Sequence, residues 1–216
     1  VVDNKGRLIG VINIDDVVEI VHEETNEDMM LLTGAESNDV YRSVFSIFKS
    51  RSIWLVTNLF ATIVAASVVG EFQDIIAQLS ILAVLMPIVA SMGGTTGQQT
   101  LAVVVRSLAT KELNSRNALR MIGKEFMVGL CNGLLFAVMI GIAVRIWFPG
   151  QEMISYIIAL AMLCNLTVAS LAGILIPLTI NRLKIDPAIA SGVFLIACTD
   201  SGGYFIFLGL AKLLLF

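Results

Sequence analysis

From Ile53 to the C-terminus, apolar runs of 18 to 31 residues alternate with short charged segments. A helix needs about 20 mostly apolar residues to cross a hydrocarbon core, and five runs meet that need. They predict membrane spans at Ile53–Gly70, Ile75–Val105, Phe126–Trp147, Ile154–Ile180 and Pro187–Ala211. The second run would measure about 46 Å as one straight helix. It must therefore tilt, break or extend beyond the bilayer. A polar, glycine-rich interruption lies within it.

Ahead of the spans the pattern changes twice. Val40, Tyr41, Val44, Phe45 and Phe48 recur at helical spacing, with Arg42, Ser46, Lys49 and Ser50 opposite. That is an amphipathic helix over Val40 to Arg51, and it runs directly into span one. Residues 1–14 read instead as strand, turn, strand, with Asn4 to Gly6 supplying the turn. Asp15 and Asp16 then cap a short helix, Val17 to His22, because negative charge is favoured at a helix N-terminus. Gly34 and Asn38 mark a bend. The expected division is a cytosolic piece over residues 1–38, a connecting helix over 39–52 and a five-helix membrane domain over 53–216. The chain opens in the middle of its first motif, as a piece of a longer protein would.

Charge sharpens this division. Residues 1–39 hold ten acids against Lys5 and Arg7, while residues 40–216 hold seven acids and twelve bases. Only 14% of all residues are charged and 57% are hydrophobic. Soluble domains carry about 25% charged residues, so disorder is excluded and a water-soluble enzyme is disfavoured. With the N-terminus placed in the cytoplasm, ten bases lie inside: Arg42, Lys49, Arg51, Arg106, Lys111, Arg116, Arg120, Lys124, Arg182 and Lys184. Only Arg145 and Lys212 lie outside. This asymmetry predicts a cytoplasmic N-terminus and, after five spans, an extracytoplasmic C-terminus in the cell membrane. Cys131, Cys164 and Cys198 fall inside apolar runs and are expected as reduced small hydrophobes packed between helices.

Two features carry chemistry. Asp200 lies almost halfway along span five, where a carboxylate costs roughly 2.5–3.5 kcal/mol on insertion scales. No Lys or Arg sits at comparable depth in any span, so the natural counter-ion is a mobile cation. A carboxyl neutralised within the bundle is the other reading. The second feature is the run Pro87 to Thr100. Pro87, Ser91, Gly94 and Gln98 share one helical stripe, and Gly93, Gly94 and Gly97 permit local unwinding or close helix approach. The density of Ser, Thr and Gln favours a wet cavity over packing alone.

Other residues say less. Asn132 and Asn165 suit interhelical bonding as well as pore lining. Gly129 and Gly133 read as a small-residue helix contact, Glu125 as a solvated interface charge, and His22 as a surface histidine. No multi-histidine metal site and no nucleophile–base constellation is present.

The motifs resemble the MgtE family of magnesium transporters and channels. They are Met86-Pro87-Ile88-Val89-Ala90-Ser91-Met92-Gly93-Gly94 with Gly97 and Gln99, then Val103 to Arg106, Asp186 to Gly192, Thr199-Asp200 and Gly203 to Ala211. Residues 1–28 look like the closing strand–turn–strand–helix of a CBS domain, and residues 39–51 like the family's plug helix. The resemblance implies a homodimer in the lipid bilayer with an ion path on its two-fold axis. It implies Asp200 as the carboxylate that meets hydrated Mg²⁺, and Ser91, Gly94, Thr95, Gln98 and Ala197 as further pore-lining or hydrated-ion contacts. Closure by cytosolic Mg²⁺ at acids such as Asp15, Asp16, Glu23 and Glu24 is also implied, with a nucleotide site in the CBS part beyond this sequence. Thr95 and Gln98 stand where the family usually has Asn, which leaves selectivity against Mn²⁺, Co²⁺ and Ca²⁺ open.

The expected fold is an all-α polytopic membrane protein: five transmembrane helices, preceded by a small α/β CBS remnant and a connecting amphipathic helix. The expected function is passage of hydrated Mg²⁺ into the cytoplasm, gated by cytosolic Mg²⁺. A proton- or Na⁺-coupled transporter of divalent metal cations is the alternative. A metal receptor without flux is a third class. No nucleic-acid partner and no enzymatic activity are expected.

Overall fold

A computed structural model describes residues 1, 3–35, 39–114 and 117–215, and the backbone alone of residues 24, 25 and 28. The described residues form seven α-helices and one short 3-10 turn: α1 Ile14–Leu31, the 3-10 turn Asp39–Tyr41, α2 Val44–Gly70, α3 Gln73–Gln78, α4 Ile81–Ala109, α5 Ala118–Trp147, α6 Glu152–Arg182 and α7 Pro187–Leu215. Five of them, α2 and α4 to α7, are long and apolar enough to cross a membrane.

The first 14 residues depart from the expected strands. The turn is present: Gly6 has φ +75°, and Asp3 accepts the backbone N–H groups of Lys5 and Arg7 at 2.8 and 2.9 Å. These donors, Arg7 foremost, hold the Asp3 carboxyl below the usual carboxylate range. Beyond the turn, the described residues show only an isolated bridge at Leu8 and no strand. A two-stranded ribbon without further strands or a packed face is marginal in water.

Helix α1 does not stop at His22 but continues to Leu31. It ends where Gly34 takes φ +71°, with Gly34 N–H bonded to Leu31 C=O and Ala35 N–H to Met30 C=O. That pair of bonds is a Schellman cap, which needs a residue without a Cβ penalty at the left-handed position. The predicted bend at Gly34 is thus in place, while Asn38 lies outside the described residues.

The connecting segment is shorter in helix than predicted. Val40 and Tyr41 belong to the 3-10 turn, and α2 starts at Val44 with Ser43 Oγ accepting from Ser46 N–H. From there one helix runs without a break through span one. The segment ahead of it is tied to it by charge: Arg42 and Arg51 both grip Asp39, at 3.1 and 2.7 Å. Val40, Tyr41, Val44, Phe45 and Phe48 are left exposed.

The long second run does break, but at its start. Helix α3 ends at Gln78, Leu79 and Ser80 form the kink, and α4 then continues for 29 residues. The glycine-rich stretch is helical throughout, contrary to the unwinding that its composition allowed.

Helix α6 occupies the centre, flanked by α4, α5 and α7, and α2 joins through α7. Of the most apolar stretch of α6, 61% is buried, against 11% for α2. At one end Leu82, Leu85, Val89, Ile154, Ile157, Ile158 and Phe207 form the main apolar cluster. The outer faces are apolar too, with Leu55, Leu59, Ile63, Leu135, Val138 and Ile142 all exposed. A surface of that kind suits hydrocarbon, not water.

Glycines set the helix spacing. A methyl on Gly133 would lie 2.9 Å from the Leu163 carbonyl oxygen, and one on Gly129 would lie 2.8 Å from Ser170 Oγ. These two residues are therefore the α5–α6 contact their spacing predicted. Cys131 and Cys198 do not pack between helices as expected; both are exposed on outer helix faces, and all three cysteines are free. A small, weakly polar thiol is tolerated on a lipid-facing side as well as in a core.

Candidate functional site

The site is built from α4 and α7, which lie side by side. Three threonines on these helices are satisfied locally. Thr95 and Thr96 donate to the carbonyls of Ser91 and Met92, and Thr199 donates to that of Leu195. Such back-bonding lets threonines sit in an apolar helix without an outside partner.

Asp200 differs. It is the fourteenth of the 29 residues of α7, half-buried, and among the described residues its carboxylate has no hydrogen bond or salt bridge. The hydroxyl of the adjacent Ser201 is buried and equally without a partner among them. A carboxylate at that depth needs a counter-charge or a proton, and among the described residues no base pairs with it.

The polar stripe of α4 runs beside it. Ser91, Thr95 and Gln98 are exposed and Gly94 half-exposed, while Thr96, Gly97 and Thr100 on the other faces are buried. Register is fixed by the glycines. A methyl on Gly97 would meet Leu195 Cδ1 at 3.0 Å, and one on Gly94 would meet Thr199 Oγ1 at 4.0 Å. Asp200, next to Thr199, therefore lies alongside the Gly94 level of α4. Gln98 opens into a hollow of about 270 Å³ shared with Ile196, Gly192 and Trp54 and capped by Met29, Leu32 and Thr33 at the end of α1. Ala197 faces a different space, an apolar groove of about 600 Å³ between α7 and α2.

Four of the membrane candidates, Ser91, Gly94, Thr95 and Gln98, thus share α4, and Asp200 stands on α7 next to Thr199, which faces Gly94. Ala197 shares the helix of Asp200 but looks toward α2. The cytosolic candidates stand apart. Asp15, Asp16 and Glu23 are exposed on α1, and Asp16 accepts the Asn13 N–H at 2.8 Å as an N-terminal brace. The side chain of Glu24 lies outside the described residues. Among the described residues no three metal-ligating side chains gather at one place.

Asn165 turns out to be a structural tie. It is 1% exposed, and its Nδ2 donates to the Val89 carbonyl at 2.7 Å. Gly93 leaves the room for it, since a methyl there would lie 2.5 Å from Nδ2. Asn165→Ala is expected to cost about 0.6–1.7 kcal/mol, the range of interhelical hydrogen bonds in bilayers, read as a lower unfolding midpoint in detergent. An unchanged midpoint would show the bond to be idle.

Sequence reasoning missed the bond from Thr100 Oγ1 to Glu125 Oε2, 2.9 Å long. Glu125 is a half-buried acid tied to α4 and not a solvated interface charge. A polar residue facing the bundle on each of two helices was the available signal.

The profile of the MgtE family, described as divalent cation transporters, matches residues 86–210. This chain belongs to the MgtE family. The match spans α4 to α7 and so includes both Asp200 and the α4 stripe. Among similar proteins is a "Magnesium transporter MgtE" from Enterococcus faecalis, 33% identical over 99% of this chain and 47% of that protein. Proteins of the same name from Bacillus subtilis and Thermus thermophilus are 31% and 30% identical over 98% and 100% of this chain. They are matched over 47% and 48% of their lengths, so the chain spans about half the length of these curated relatives. With five apolar helices of spanning length, it is a membrane protein of a divalent cation transporter family.

Proposed function

We propose that this chain forms the membrane path of a Mg²⁺ channel, with Asp200 as the carboxylate that meets the ion. The observation that carries this reading is the partnerless Asp200 at the middle of α7, beside the polar stripe of α4. Both belong to a surface that the single chain leaves partly open. A second copy across a two-fold axis would close that surface and face two carboxylates across one path. Mg²⁺ sheds water reluctantly and is commonly held through one or two carboxylates while keeping several waters. The hydroxyls, amide and backbone of Ser91, Gly94, Thr95 and Gln98 then read the hydrated shell, with Ala197 lining the approach.

The rest of the reading follows the charge map. Residues 1–38 are the end of a cytosolic CBS domain, residues 39–52 the connecting helix and residues 53–216 the membrane domain. The N-terminus is cytoplasmic and the C-terminus extracytoplasmic, in the cell membrane. Asp15, Asp16, Glu23 and Glu24 contribute to a Mg²⁺ sensor that closes the path. An inside-negative potential favours entry of a divalent ion by about 4.6 kcal/mol per 100 mV, so no coupled ion is needed.

The test is Mg²⁺ uptake into protein-containing liposomes under an imposed potential with no pH or Na⁺ gradient. Saturable uptake that follows the potential supports the channel. Silence until a proton or Na⁺ gradient is applied replaces it with a coupled transporter. Faster uptake of Mn²⁺ or Co²⁺ than of Mg²⁺ reassigns the cargo.

A further inference from the structure

Helix α4 presents its candidate ion-facing stripe on one side and is held from the other. Thr100 follows Gln98 by two residues, about 200° around the helix, so it points directly away from the stripe. There its hydroxyl donates to Glu125 on α5 at 2.9 Å. Helix α6 also comes close here: a methyl on Gly173 would lie 2.8 Å from Thr100 Cβ and 2.6 Å from the Gly97 carbonyl oxygen. Three helices thus meet at one point behind the path. Among the described residues, the Thr100 hydroxyl is the one hydrogen-bond partner of the Glu125 carboxylate.

We infer that Glu125 is a positioning residue of the ion path: its bond to Thr100 sets the rotation of α4, and with it the direction in which Ser91, Thr95 and Gln98 face. The inference rests on the α4–α7 reading of the path and extends it to α5. Glycine contacts set how closely α4 approaches α6 and α7, and a directional bond adds a preferred rotation to that close approach. The Asn165–Val89 bond ties α4 about three turns further along, and the Thr100–Glu125 bond is the polar tie off the axis at the Gln98 end. A carboxyl at this position offers acceptor oxygens to the Thr100 hydroxyl, which an apolar side chain cannot. Glu125 touches no ion in this role; it acts through Thr100.

The test uses the intact protein and four variants: Glu125→Ala, Glu125→Gln, Thr100→Val and Thr100→Ser. Glu125→Ala and Thr100→Val are each expected to raise the half-saturating Mg²⁺ concentration about tenfold, the scale of leaving one buried hydrogen-bonding partner unsatisfied. Glu125→Gln and Thr100→Ser keep an acceptor and a donor and are expected within about threefold of wild type. The double variant Glu125→Ala with Thr100→Val should be no worse than either single one, since both break the same bond. Loss with Glu125→Gln but not with Thr100→Val would overturn the inference in favour of a direct ion contact. Lower protein yield or unfolding midpoint with an unchanged half-saturation would reduce the bond to ordinary packing.

A second readout is independent of transport. Gln98→Cys, in a background whose three native cysteines are serine, is reacted with a water-soluble maleimide. Glu125→Ala is expected to change its rate several-fold and Glu125→Gln to leave it as it was. Equal rates in all backgrounds overturn the inference even if the wild type transports. A wild type that fails to move Mg²⁺ while the rates still shift overturns only the ion-path reading.

Discussion

Asp200→Ala is expected to abolish potential-driven Mg²⁺ uptake while leaving the protein at least as stable as the wild type. The two halves of that expectation have separate causes. Removing one member of a desolvated charge pair costs about 2–5 kcal/mol, a drop of roughly thirtyfold or more in occupancy of the ion site. If two copies share one path, the loss counts twice. Stability should move the other way. A carboxylate at mid-membrane depth costs about 2.5–3.5 kcal/mol to insert, and in this fold no described group compensates it. Asp200→Asn keeps the shape and loses the charge, so it should also fail. Asp200→Glu keeps the charge one methylene further out and should retain part of the flux. Uptake and detergent unfolding measured side by side check all three. Equal uptake in wild type and Asp200→Ala would remove Asp200 from the path and shift attention to Ser91, Thr95 and Gln98.

The spans and Asp200 were legible in the sequence for the same reason. Each is a one-dimensional property: the length of an apolar run, or one charge within it. The α4 stripe was legible because helical spacing puts Pro87, Ser91, Gly94 and Gln98 on one side whatever surrounds the helix. What failed depended on partners distant in sequence. Gly93 and Gly97 read as possible unwinding because glycine alone weakens a helix. The helix survives because those positions receive Asn165 from 72 residues away and Leu195 from 98 residues away. Glu125 looked like a solvated charge because its partner, Thr100, lies 25 residues back. The end of α1 was misjudged for a different reason. Its polar composition from Glu23 to Asp28 has no apolar periodicity, so nothing local announces helix until the glycine cap at Gly34 ends it. The acids of α1 are the candidates least developed by the fold: Asp15, Asp16 and Glu23 stay exposed and join no cluster of three metal-ligating side chains among the described residues.

Gly173→Ala is the second large effect expected, and it runs against helix propensity. In an open helix position, Gly to Ala gains up to about 1 kcal/mol. Gly123, Gly202 and Gly209 are such positions, since a methyl on any of them meets nothing within 4 Å. On Gly173 the same methyl would lie 2.6 Å from the Gly97 carbonyl oxygen and 2.8 Å from Thr100 Cβ. The first of these is backbone in the middle of a 29-residue helix, and it cannot swing aside as a side chain can. Either α4 or α6 must shift. Overpacking of this kind costs about 1–3 kcal/mol, enough to reverse the propensity gain. The shift also carries the stripe with it, because Gly97 adjoins Gln98 and lies three residues from Gly94 and six from Ser91. Gly173→Ala is therefore expected to lower the unfolding midpoint in detergent and to lose most Mg²⁺ uptake, with Gly123→Ala unchanged or slightly stabilised. If Gly173→Ala matched Gly123→Ala in both measurements, the close α4–α6 contact would not exist in the membrane. The α4 side of the path would then have to be positioned by α5 and α7.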